Sequence, residues 1–584
     1  MDKLNISKKL KWNFNLNGIR PYLILFFYCL VLVFLSHNVI NRADSDIEFH
    51  MARIVGLAQS IRNFDFLPNL NYLFGNGIGY ATPMFYGQWL LYPSSVLFIF
   101  TKSIKLSVAL YAFIISFVGS SGSYYFFRKI NNNSLFTLLV AMLNPLVYCN
   151  FGYGMIASTA LIPFLLLALY LILFEKKKAG LLLGIVVALL VQTHIISTVI
   201  LALNVVAFLI IFFDKITIHS IVEFIKSIIV ALMLSIGFIF QFIEQSRSQV
   251  FFANWTTRPF MGMSGNSKSF YEVIESLFNT TTSATTIAVA SPLIIFISFL
   301  AISILLEWKN ISNTSKKLFL LALILLIFSS SVLPWNELKY TILGILQWPT
   351  RIITFIPSLI VLAFVIEEKS TKKAFYSFVI ALSLFSSIVI FRNQTDSKAF
   401  SNRLEQKMKS LYYGSKELNG FSGMEYLTID INYKEANNRN FLLDFPKKTK
   451  SYTLSNVKEG YNKLSFDFKV GHSKTRIVLP RIWYKGLVAD YTDGATGSQP
   501  KLDQMTLTNK EIISRQLEHR PKVKQKVLEN GRAVLEVNRS GHVEVTYKKT
   551  KLQKIGFILE TISWIIVLIF IFLKKQIKNY RSSD

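Results

Sequence analysis

The stretch RADSDIEFHMARI, residues 42–54, gathers Asp44, Asp46, Glu48, His50 and two arginines. Ser45 and Glu48 stand at capping-box spacing, with Ser45 as N-cap and Glu48 three positions on. The spacing predicts a helix running to about Asn63. On it Asp46, His50 and Arg53 share one face, and Ile47, Met51, Ile54, Ala58 and Ile61 share an adjacent apolar face. Asp46 falls in the first turn, where the helix dipole favours an ionised carboxylate. A carboxylate held ionised beside positive groups has the chemistry of a general base. The same carboxylate also serves as a plain helix cap, and spacing alone leaves both roles open.

Three further residues stand where apolar runs meet polar loops. His194 lies in VQTHIIST between two apolar runs, and Glu244 ends a run in FIFQFIEQSRSQ. Arg351, in LQWPTRIITF, opens a run just after Trp348 and Pro349. An arginine at membrane depth is costly, roughly 2.5–3.5 kcal/mol on insertion scales, and its planar fork matches phosphate oxygens. Snorkelling to lipid headgroups is its bland alternative, as hydrogen bonding within a helix bundle is for His194.

These residues need elements to hold them, and composition names the kind. The chain has 584 residues, 52% of them hydrophobic and 17% charged, with mean hydropathy +0.41. Apolar runs long enough to cross a bilayer recur along it, so the class is a polytopic membrane protein. Thirteen apolar runs are legible, from about 21–40 to 553–573. Lysines and arginines flank spans mostly on the cytoplasmic side. Six basic clusters, among them Arg128-Lys129, Lys176-Lys177-Lys178 and Lys574-Lys575, fall on one side if the run 86–101, which contains Pro93, does not cross. About twelve spans result, with both termini cytoplasmic and an uncleaved signal anchor at the start. The segments 41–105, 151–154, 244–286, 335–350 and 393–552, and the turn at His194, then face outward.

Residues 1–392 are thus read as the membrane module, with 41–105 as its first outer loop. Residues 553–584 form a last span with a basic tail. Between them, 393–552 is the one long polar stretch. Its runs EYLTIDINY, KLSFDFKV, TRIVLPRIWY and HVEVTY alternate with period two, which indicates strands and a β-sandwich-like outer domain. It carries 29 Lys/Arg and 17 Asp/Glu, a net charge of about +12. That suits an anionic polymer or lipid headgroups, and equally a plain solvated surface. Cys29 and Cys149 have no disulfide or zinc spacing, and no Walker A or dinucleotide-binding glycine pattern occurs. We therefore expect no ATP- or NAD-driven chemistry, no cofactor and no nucleic-acid partner. Abundant Phe, Ile, Lys and Asn point to a bacterium with an AT-rich genome.

Taken together, DIEFHMARI and GIGYATPMFYGQWLLY resemble the first outer loop of bacterial YfhO-like and pyruvoyl-tetrahydropterin-synthase-related membrane proteins. NPLVYCNFGYGMIASTALIPFLLLAL, VQTHIIST, LSIGFIFQFIEQSRSQV and LQWPTRIITFI follow in the same order, and IVLPRIWYKGLVADYTDG to HVEVTYKKT is similar to the YfhO-like outer domain. The resemblance implies the GT-C superfamily of glycosyltransferases, which draw a sugar from a polyprenyl-phosphate carrier at the outer membrane face. It makes Asp46 the loop acid, with Asp44 as runner-up and His50 and Arg53 alongside. Around Gly152–Ser158 the chain departs from the pattern, with Gly154 and Ala157 where an Arg and a Glu are expected.

The acceptor expected from this is a cell-wall or teichoic-acid-type glycopolymer or a glycolipid. A carrier-loading glycosyltransferase and a flippase would supply the donor. A divalent metal bridging Asp44, Asp46 and the phosphate is disfavoured by the few carboxylates nearby. The competing class is a transporter or flippase of lipid-linked saccharides. It predicts internal repeats with matching helix breaks, and none is legible. A non-catalytic scaffold holding wall polymer is a third reading.

Overall fold

The structure, a computed structural model, describes residues 16–36, 45–148, 154–249, 251, 267–278, 291–338, 341–346, 348–395, 426–427, 445–472, 474–502 and 532–581. Asp44 and most of the strand expected at EYLTIDINY lie outside them.

Among the described residues, six helices are long and apolar enough to cross a membrane: Gly18–Leu35, Ile104–Ile130, Met155–Leu173, Pro349–Glu367, Thr371–Ile390 and Lys551–Lys574. Ile218–Leu234 and Ile236–Ser248, bent by 69° at their junction, make a seventh if counted as one span. The reading of twelve crossings asks for more than these. Several of the other apolar runs fold as helices of 10–17 residues. His194 breaks one pair by taking extended backbone, φ −160° and ψ 107°, between Gly180–Thr193 and Ile195–Ile211. A 14-residue helix such as Gly180–Thr193 rises only about 21 Å, against about 30 Å of hydrocarbon. Within 86–101 the α-helix is Tyr92–Thr101, ten residues, which by length alone falls short of a crossing.

The bend at Ile236 has a chemical cause in the last span. The Glu560 carboxylate accepts the Gly237 N–H at 2.9 Å, the Phe238 N–H at 3.2 Å and the Gln192 amide at 2.9 Å. A side chain from another helix thus takes the orphan donors of the restarted helix. Close backbone approach makes this feasible: a Cβ on Gly556 would lie 3.0 Å from the Gly237 Cα. The outer face of the last helix is exposed at Ile558, Ile562, Ile565 and Ile569, as lipid contact requires.

The polar C-terminal region forms two antiparallel four-stranded sheets from β1 (Tyr452–Gly460), β2 (Lys463–Val470), β3 (Thr475–Ile482), β4 (Leu487–Thr492), β5 (Thr496–Gly497), β6 (Lys501–Leu502), β7 (Arg532–Arg539) and β8 (Gly541–Tyr547). One sheet has the order β1-β2-β8-β4; the other is β3-β7-β5, with β6 also pairing β7. Period-two alternation sends Leu464, Phe466 and Phe468 into the core, opposite Val545, Val543 and Gly541 of β8. KLSFDFKV, TRIVLPRI and HVEVTY are thus strands, as their alternation predicts.

The segment after the helix Ser45–Arg62 docks on these sheets. Gly77 and Gly79 hold φ of +91° and +87°, a conformation that only glycine adopts readily. Between them Ile78 is buried, and its carbonyl accepts the Ile482 N–H at 3.4 Å. Beside the turn, Glu459 of β1 pairs with the buried Arg481 of β3 at 2.8 Å.

Candidate functional site

The helix expected from the capping box is Ser45–Arg62. It does not lie as an amphipathic rod with a wet polar face. Every residue from His50 to Ala58 is buried. The segment after it folds back as a cover: Ser95 donates to the Ile54 carbonyl at 2.9 Å, and Tyr86 lies over Arg53. Asp46 occupies the helix's first turn, one turn before His50.

Arg53 is 3% exposed and His50 is 7% exposed. The guanidinium donates to the carbonyls of Tyr86, at 3.2 Å, and Gly87, and stands 3.9 Å over the Tyr86 ring. It also donates to His50 Nδ1 at 3.3 Å, since arginine has no acceptor. His50 is therefore neutral with its proton on Nε2. The described partners of Arg53 are thus carbonyl dipoles, a neutral imidazole and aromatic faces. They satisfy its donors without cancelling its charge, so the pocket keeps a positive potential that favours an anion nearby.

His194 joins this cluster from about 140 positions further along the chain. Its ring centroid is 5.3 Å from that of Tyr86, which is 5.6 Å from that of His50. Nδ1 accepts the Ser197 N–H at 3.1 Å and lies 2.7 Å from the Ser197 hydroxyl, so the histidine caps the helix that follows it. Burial, then the charges of Arg351 and Arg53, push its pKa down to about 3. Burial, then Arg53 and His194, likewise hold His50 well below the usual histidine range. Neither imidazole is protonated at neutral pH, so neither serves there as a general acid, and both offer an Nε2–H donor.

Arg351 sits in the 3-10 turn Pro349–Phe355, with its guanidinium on the Leu346 carbonyl at 3.3 Å. With Ser158, Thr159, Ser197 and Thr354 it lines a small cavity at the foot of the His194 cap. Tyr148 pins this turn by donating to the Thr354 carbonyl at 2.9 Å and meeting the Ser358 hydroxyl, also at 2.9 Å.

The fold therefore brings together His50, Arg53, His194 and Arg351, which span three hundred positions of sequence. Glu244 belongs to a different network. Its carboxylate accepts the Thr550 hydroxyl at 2.7 Å and meets Lys485 at 3.2 Å, tying the bent span to the sheets and to the start of the last helix. Tyr86, Gly87 and Ser197 complete the cluster. Tyr86 and Gly87 lay in a stretch visible in the sequence, but nothing in their spacing separates them from ordinary packing residues. Among the described residues no group of three or more His, Cys, Asp or Glu side chains is arranged to hold a metal ion.

Gly87 has a specific steric reason. A Cβ there would lie 1.3 Å from the Gln192 carbonyl oxygen and 2.2 Å from its carbon. Backbone cannot yield as a side-chain tip can, and the Gly87 carbonyl is one of the acceptors that seat Arg53. Gly87→Ala is expected to cost about 1–3 kcal/mol or more, as overpacking does. Thermal unfolding of the purified protein in detergent checks this; an unchanged melting temperature would show that the contact yields freely.

The architecture and the cluster together define a multi-pass, mainly helical membrane protein with a separate β-sheet region near its C-terminus. No family model matches the sequence, and no curated protein does. Among solved structures the chain is similar to the cryo-EM structure of the arabinofuranosyltransferase AftD from Mycobacteria, at 15% identity and a TM-score of 0.41. The match covers 64% of this chain and 27% of that one, so the chain spans about a quarter of the length of the structure it matches.

Proposed function

We propose that the protein is a membrane glycosyltransferase of the GT-C type, moving a sugar from a polyprenyl-phosphate carrier to an acceptor outside the cytoplasm, such as a cell-wall or teichoic-acid-type glycopolymer. The observation that carries this is the packing of His194 on the Tyr86 ring that also lies over Arg53, with Arg351 sharing a small cavity with the Ser197 that His194 caps. Two cations and a neutral N–H donor at the ends of apolar helices suit one phosphate of a lipid whose tail lies in the bilayer. The sequence resemblance of the first outer segment to YfhO-like proteins supports the same reading.

In this mechanism Asp46 removes the proton from an acceptor hydroxyl. The oxygen attacks the anomeric carbon, the bond from that carbon to the phosphate oxygen breaks, and its electron pair leaves on the polyprenyl phosphate. Arg351 meets the charge that develops there. A single displacement inverts the anomeric centre. His50 and His194, with lowered pKa and Nδ1 already accepting a hydrogen bond, compete weakly for the proton. Arg53 acts as a positioning residue and keeps the potential positive for both carboxylate and phosphate.

The experiment offers purified protein two donors, a polyprenyl-phosphate sugar and the corresponding nucleotide sugar, with a glycan acceptor. Transfer is expected from the lipid donor alone. Transfer from the nucleotide sugar alone overturns the proposal, and movement of lipid-linked saccharide across a vesicle without transfer makes the protein a flippase.

A further inference from the structure

At the far end of the Ser45–Arg62 helix the chain makes a second polar feature that the proposed reaction does not use. Asp65 N–H donates to the Ser60 carbonyl and Phe64 N–H to the Ile61 carbonyl, both at 3.0 Å. This is a Schellman cap, and Phe64 holds its left-handed position at φ +59°. Glycine is the usual residue there, because a Cβ is strained in that conformation. Yet the Phe64 side chain is 84% exposed, so the strained residue gains almost nothing from packing. Strain that burial does not repay is the kind of outlier that points to a ligand.

Phe64 lines a cleft of about 480 Å³ between the segment after the helix Ser45–Arg62 and the sheets. Asn63, Asp65, Tyr72, Tyr461, Asn462 and Lys549 supply its polar lining. The cleft is built rather than incidental. Tyr461, in the β1–β2 turn, donates to Asp65 Oδ2 at 2.9 Å, and Lys549 lies 3.9 Å from Oδ1. Tyr72 donates to Asn462 at 2.5 Å, and Asn462 exchanges hydrogen bonds with the Tyr547 backbone at 2.8 and 2.9 Å. Segments from both ends of the chain are thereby locked around one opening, lined by a carboxylate, carboxamides, phenols and two lysines, with Phe64 beside them.

We infer that this cleft is a saccharide-binding site, in which the Phe64 ring stacks on the apolar face of a sugar while Asp65 and Asn63 take its hydroxyls. Paired donors and acceptors beside an exposed aromatic face match a pyranose, whose hydroxyls lie around its edge and whose C–H groups lie on its face. A lipid chain is disfavoured by the carboxylate and amides of the lining. The helix Ser45–Arg62 has 18 residues, so the cleft lies about 25 Å from Asp46. It is thus a secondary site, suited to holding a remote portion of an extended glycan. Its use by the acceptor of the transfer reaction rests on the proposed function; the binding itself does not.

The test measures binding to the full-length protein in nanodiscs, without donor or turnover, by saturation-transfer NMR with chitotetraose, maltotetraose and tetragalacturonic acid. At least one is expected to bind, and Phe64→Ala and Phe64→Gly are each expected to weaken it about fivefold or more. Phe64→Tyr should retain it. The melting temperature serves as the folding control, and Phe64→Gly, which relieves the left-handed strain, should not lower it. Binding of none of the three probes, or unchanged binding by both small variants, overturns the inference. So does quenching of added Phe64→Trp emission by brominated acyl chains, which would make the ring a lipid anchor. A bound saccharide with no transferase activity would instead overturn the proposed reaction and leave the site standing.

Discussion

Asp46→Asn is expected to lower sugar transfer by about 10²–10⁴-fold, the usual contribution of a general base, without changing expression or melting temperature. The carboxamide keeps the size and an oxygen able to cap the helix, so the cap survives while the base is lost. The surroundings sharpen the expectation. Arg53, whose described partners carry no opposite charge, lies about two helical turns further along the same face, and burial pushes the pKa of His50 and His194 down beside it. Imidazoles with a depressed pKa and Nδ1 already accepting a hydrogen bond are weak bases, and Asp46 is the carboxylate that the helix places closest along the chain to His50 on that face. Asp44→Asn should be the milder change. Initial rates with the lipid-linked donor decide it: wild-type turnover by Asp46→Asn removes Asp46 from the chemistry, and equal losses at both positions favour a shared role, as in metal binding.

Arg351→Ala should lose most transfer and weaken donor binding by about 10- to 150-fold, the equivalent of charge-assisted hydrogen bonds worth about 1.5–3 kcal/mol. Arg351→Lys keeps the charge but loses the planar fork, so partial activity is expected. The structure makes the simple anchor less apt as a description of Arg351. Its guanidinium is half-buried against the Leu346 carbonyl, and it faces the hydroxyls of Ser158, Thr159 and Ser197 across a small cavity. Its turn is braced by Tyr148, which bonds the Thr354 carbonyl and the Ser358 hydroxyl. An arginine that merely reached for headgroups would need no such bracing. Donor affinity and turnover for the two variants separate the roles: an anchor leaves affinity unchanged in both, and a fully active alanine variant excludes Arg351 from the site.

Local rules made much of this molecule legible before any fold was known. The capping-box spacing of Ser45 and Glu48 marks a helix start, because such a pair can satisfy a helix's first N–H groups from within four residues. Period-two alternation makes KLSFDFKV and HVEVTY strands, because one face of each must leave water. Apolar runs declare membrane helices, because hydrocarbon admits few other arrangements of backbone. Each of these depends on residues a few positions apart. Crossing number is less local. Where an apolar run stops helping a span depends on breaks such as the extended backbone at His194 and on Glu560 taking the amides of Gly237 and Phe238 from another helix.

The site shows the same division. His50, Arg53, His194, Glu244 and Arg351 are all noticeable in the sequence as polar groups at the margins of apolar runs, and nothing at that level distinguishes them. Tertiary packing sorts them. It carries His194 onto the Tyr86 ring beside Arg53, sets Arg351 near enough to depress the same imidazole, and sends Glu244 to Thr550 and Lys485. It also buries a helix that the pattern made amphipathic, because the segment through Tyr86 and Gly87 folds back over its polar face. Charge and burial depend on neighbours from every part of the chain, and no local spacing encodes where those neighbours will be.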